Sequence, residues 1–76
     1  MPNTHYAKTL YGVPREKITS WWNALAYSTK QGYKEELYKL GMDRRDEYEV
    51  CTYLFGNLWP ATKRAIAKLY KKKHEG

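Results

Sequence analysis

The chain has 76 residues, 42% of them hydrophobic and 29% charged, with 14 Lys and Arg against 8 Asp and Glu. That length holds one domain with a marginally sufficient core, which argues against a multi-part active site with its own substrate cleft. The lone Cys51 makes no internal disulfide, His5 and His74 with one thiol make no tetrahedral zinc site, and no run reaches the ~18–20 apolar residues of a membrane span.

Residues 1–12 lack helical periodicity, carry Pro2 and Gly12 near their ends, and show no signal-peptide core after Met1. They read as an extended arm pinned by Tyr6, Leu10 or Tyr11. A short edge strand has no obvious partner here, so no sheet is expected.

Pro14 suits a first helical position, where its missing N–H has no partner to lose. Ile18, Trp21, Trp22 and Leu25 then follow the i, i+3, i+4, i+7 pattern of an amphipathic helix, with Arg15, Glu16, Lys17 and Asn23 largely opposite. The paired tryptophans point about 100° apart, so both can border a core without both being fully buried. Ser28 and Gln31 match a capping box, and Gly32 suggests a break or bend. A second short helix carries Tyr33, Leu37 and Leu40 on one stripe, ended by Gly41 in a left-handed conformation. One long bent helix from Pro14 to Leu40 is the competing reading.

Asp43 is a good N-cap, with Asp46 and Glu47 in the first turn behind it. Tyr48, Cys51, Leu54, Phe55 and Leu58 make an apolar stripe at helical spacing, so a third helix is expected up to Gly56-Asn57. Pro60 starts the last helix, with Thr62, Ala65, Ile66, Leu69 and Tyr70 on its apolar face. The expected fold is all-α: a small single domain of three to four short helices over 13–73, an extended N-terminal arm over 1–12 and a tail at 74–76.

Charge is segregated. Residues 60–76 hold six cations, Lys63, Arg64, Lys68, Lys71, Lys72 and Lys73, against Glu75 alone, a net of +5. Residues 1–59 hold eight basic and seven acidic side chains, a net of +1. On a wheel at about 100° per residue, Lys63, Arg64, Lys68, Lys71 and Lys72 share one half of the helix and the apolar set occupies the other. Cations at a C-terminal helix also suit its dipole, and lysine stems can cover apolar surface. Beyond that, the stripe is an electrostatic footprint for phosphate or for an acidic protein surface.

Catalytic arrangements find little support. Asp43, Asp46, Glu47 and Glu49 are interleaved with Arg44 and Arg45 and read as a salt-bridged turn. Cys51 lies on an apolar stripe, where a thiol behaves as a small hydrophobe. Neither histidine has a neighbouring partner, and no glycine-rich phosphate loop is present. A helix-turn-helix layout over Cys51–Lys68 would present Thr62 and Arg64 to base edges, but its Leu58-Trp59-Pro60 turn is bulky.

Eight tyrosines, three tryptophans and one phenylalanine make 16% of the chain, more rings than so small a core takes in. Tyr38 and Tyr53 fall off their stripes and are candidate exposed anchors. The expectation is a non-enzymatic, cytoplasmic module in a reducing compartment, with no cofactor, no metal, no membrane and no small-molecule substrate. Its partner is nucleic acid, met mainly through phosphates by the C-terminal helix. The alternative is a protein-binding modulator or inhibitor of a larger enzyme or nucleoprotein machine, of the kind viruses and mobile elements encode, meeting an acidic surface.

Overall fold

The computed structural model describes residues 9–75; the earlier part of the expected arm, with Tyr6, lies outside them. The first described element corrects the sequence reading. Thr9–Leu10 (β1) and Val13–Pro14 (β2) form an antiparallel hairpin with Leu10 opposite Val13. The partner strand lies just past the expected end of the arm. Tyr11 and Gly12, the two turn residues, both have positive φ (52° and 80°), as a two-residue hairpin requires. Tyr in place of Asn or Asp at the first position hides this signal.

Three α-helices follow: α1 over Arg15–Ala24, α2 over Tyr27–Lys39 and α3 over Pro60–Glu75. Pro14 is the N-cap of α1 and the last residue of β2, one position earlier than expected. Ile18 and Trp22 are fully buried and Trp21 is half-buried, as the wheel requires. The break between α1 and α2 falls at Leu25 and Ala26, both extended (ψ 145° and 156°), not at Ser28 or Gly32. Gln31 donates to the Tyr27 hydroxyl at 2.8 Å instead of boxing Ser28. No glycine or proline marks the break. It lets α2 fold back so that Leu37 and the Lys30 stem share a core with Ile18 and Trp22.

Gly41 ends α2 as expected, at φ 105°. The Met42 N–H donates to Leu37 O and the Gly41 N–H to Tyr38 O, and the buried Met42 and Leu37 side chains complete a Schellman motif.

The third expected helix is absent. Arg44–Asp46, Glu49–Cys51 and Phe55–Asn57 are separate single 3-10 turns. Asp43 does cap, accepting the Arg45 N–H at 2.8 Å, but only for the first turn. Val50, Cys51, Thr52 and Tyr53 are weak helix formers, and Gly56 and Asn57 are weaker still or turn-prone. Tertiary bonds then divide the segment: Asn23 Oδ1 takes the Phe55 N–H at 2.9 Å, and Trp22 Nε1 donates to Val50 O at 3.3 Å. Cys51, Phe55 and Leu58 still reach the core, but Tyr48 is 80% and Leu54 61% exposed.

The core lies where α3 packs across α1 and α2, with Thr62, Ala65, Ile66 and Leu69 buried beneath it. Among the described residues no helix is long and apolar enough to cross a membrane.

Candidate nucleic-acid interface

The start of α3 is anchored by the first 3-10 turn. Buried Asp46 accepts the Trp59 N–H through Oδ2 at 2.9 Å, just before Pro60. A carboxylate here also suits the positive end of the helix dipole. Asp43 donates its backbone N–H to the Thr62 hydroxyl at 3.1 Å. Arg45 pairs with the Asp43 carboxylate at 2.8 Å and lays its guanidinium 3.7 Å from the Trp59 ring centroid. The Arg45 bonds hold the Asp43 carboxyl below its usual range. Thr62 is fully buried and its hydroxyl is engaged, so it does not reach a base edge. With no helix before the Leu58-Trp59-Pro60 turn, the helix-turn-helix layout falls away.

The five cations of α3 do not stand alike. Arg64 is exposed; Lys63, Lys68 and Lys71 are half-buried. Ala67, which the wheel places between Lys63 and Lys71, is fully buried, so cover extends under the basic side of the helix. The hairpin turn contributes there: Lys68 Nζ sits 5.0 Å from the Tyr11 ring centroid. Lys72 faces α2, with Nζ 2.8 Å from Glu36 Oε2, and Lys73 reaches the other oxygen at 3.8 Å. The Lys72 hydrogen bond, against some burial, holds the Glu36 carboxyl below its usual range. Lys63, Arg64, Lys68 and Lys71 have no carboxylate partner among the described residues.

The two aromatic candidates separate. Tyr53 is half-exposed, although the helix whose stripe it was expected to leave does not form. Tyr38 is not an exposed anchor: its ring packs on the core under Arg44, 5.6 Å away, and its hydroxyl is buried without a well-formed hydrogen bond. Burial first, then the nearby Glu47 carboxylate, pushes this phenol above its usual range.

Sequence reasoning missed a ring cluster where α1 meets the end of α3. Tyr70 and His74 stack at 4.0 Å and 18°, and Trp21 meets both edge-on at 5.4 Å and 5.6 Å. The i, i+4 spacing of Tyr70 and His74 was the available signal.

Among the described residues no three His, Cys, Asp or Glu side chains come together to hold a metal ion. Cys51 is buried, and burial pushes its thiol above the usual range despite Lys34 and Lys30. No protein-family model matches the chain, and no curated protein or solved structure matches it.

Proposed function

We propose that this protein is a non-enzymatic module that binds nucleic acid, mainly through phosphates, by the basic side of α3. The observation that supports the reading is the group Lys63, Arg64, Lys68 and Lys71: four cations on one helix, none with a carboxylate partner among the described residues. Salt bridging among the described residues does not account for them, and phosphate would be a suitable partner. Lys72 adds a fifth charge that shares Glu36. The buried free thiol of Cys51 fits a reducing, cytoplasmic setting.

The test is affinity for nucleic acid against salt. Changing Lys63, Arg64, Lys68 and Lys71 together to Gln keeps helix propensity nearly constant. Affinity should fall for every sequence, and the slope of log affinity against log salt should flatten by about 0.7–0.9 for each phosphate the variant no longer neutralises. A quadruple variant that binds with the parent's affinity and slope overturns the reading.

A second reading rests on a different surface. Tyr48, Tyr53 and Leu54 stand exposed on the 3-10 segment. They would anchor a larger protein whose activity this chain modulates or inhibits, with the α3 cations meeting acidic side chains at the rim. Under it, Tyr53→Ala should raise the dissociation rate, and the quadruple change should chiefly slow association at low salt.

A further inference from the structure

The turn of the β1–β2 hairpin carries a tyrosine where a smaller residue folds more easily. Tyr11 has φ 52° and Gly12 φ 80°. Asn, Asp or Gly fits the first of these positions with least strain, whereas a bulky side chain at positive φ is a backbone outlier. Burial of the ring does not offset that strain. The opposed pair Leu10 and Val13 holds the hairpin against the core, with Val13 only 4% exposed, while Tyr11 at the tip is 45% exposed.

The ring stands beside the basic helix. Lys68 Nζ lies over it, 5.0 Å from the centroid. Arg64 is one turn before Lys68 and Lys71 one turn after, so the three side chains share a face of α3. None of the three has a carboxylate partner among the described residues. A single cation–π contact at an exposed site contributes little, and Asn before Gly would form the same turn without strain. Hairpin stability therefore does not explain the ring. An exposed aromatic bordered by cations is the combination that single-stranded nucleic acid rewards: the ring meets a base face and the cations meet phosphates.

We propose that Tyr11 and the Arg64, Lys68 and Lys71 face of α3 bind single-stranded nucleic acid, an unpaired base stacking on the Tyr11 ring while the three cations hold neighbouring phosphates. This rests on the phosphate-docking reading and narrows it to single strands. In a duplex each base face is already stacked on its neighbour, so the ring rewards only an unpaired base. The strained turn is then a positioning device: it fixes the ring at the hairpin tip, against Lys68 and outside the core.

The experiment titrates the parent and its variants with a ten-nucleotide oligothymidylate and, separately, with a ten-base-pair duplex, over a series of salt concentrations. Tyr11→Asn suits the turn, so its melting temperature should equal or exceed the parent's. Its single-strand affinity should fall about tenfold, the contribution of one base–aromatic stack, with the salt slope unchanged because no phosphate contact is lost. Its duplex affinity should not change. Tyr11→Phe, which keeps the ring, should bind single strands as the parent does. A lower melting temperature for Tyr11→Asn would make the ring a packing residue, and an equal loss on the duplex would remove the preference for single strands; either result overturns the proposal. If Tyr11→Asn keeps single-strand affinity while the quadruple α3 variant loses it, the Tyr11 proposal falls and phosphate docking stands. If the parent protein binds neither probe at low salt, both fall.

Discussion

Asp46 Oδ2 accepts the backbone N–H of Trp59 at 2.9 Å, and the carboxylate that does so is only 2% exposed. This bond ties the first 3-10 turn to the start of the basic helix. Asp46→Ala leaves the Trp59 N–H without its acceptor and removes a negative charge from the helix start. The expected loss is about 1–3 kcal/mol, and Asp46→Asn, which keeps an acceptor oxygen, should lose less. Urea unfolding of the two variants against the parent measures the difference. Equal losses would mean that the charge, not the hydrogen bond, carries the effect.

Ile66 is fully buried at the centre of α3, whereas Leu54 is mostly exposed between two 3-10 turns. The helical spacing assigned both to stripes, but burial separates them. Ile66→Ala should cost about 2–5 kcal/mol, and Leu54→Ala should stay within ~0.5 kcal/mol of the parent. Thermal melts of the pair test the 3-10 description of the segment directly.

Gly32 lies mid-helix on an exposed face of α2, and a Cβ placed there meets nothing within 4 Å. Gly32→Ala should therefore stabilise the protein by about 0.5–1 kcal/mol through helix propensity alone. A destabilised variant would show that the chain bends at this glycine.

Glu36 links stability and charge. Its carboxyl is held below the usual range, first by the Lys72 hydrogen bond. A lowered folded-state value contributes stability in full above the ordinary glutamate range, and that stability is lost as the pH falls through the lowered value. Glu36→Gln should cost up to ~1 kcal/mol at neutral pH, since the pair is at the surface, and nothing once the parent's carboxyl is protonated. The same change frees Lys72 and Lys73, so nucleic-acid affinity should rise at low salt. Melts across the acid range and oligonucleotide titrations on one variant check both signs.

Cys51 is nearly fully buried, and burial holds its thiol protonated. A thiol reagent should label the native protein slowly and the urea-unfolded chain fast. Cys51→Ala should keep nucleic-acid binding and lose about 1 kcal/mol of stability. Rapid native labelling accompanied by loss of binding would assign the thiol a chemical role.

Local patterns in the chain determined much of this molecule. The stripes of α1 and α3, the end of α2 at Gly41 and the crowding of cations into residues 60–76 all follow from spacing and residue type, because each depends on neighbours within one or two turns. What the tertiary structure decided depends on distant partners. The stretch from Asp43 to Leu58 has helical spacing but is drawn into separate turns by Asn23, Trp22 and the start of α3. Leu10 finds its strand partner in Val13 only because Tyr11 accepts a positive φ. Tyr38 is taken into the core beneath Arg44, and Lys72 is turned toward Glu36 on another helix. A wheel fixes the direction in which a side chain leaves its helix; whether it meets water, a ring or a carboxylate depends on which element packs there.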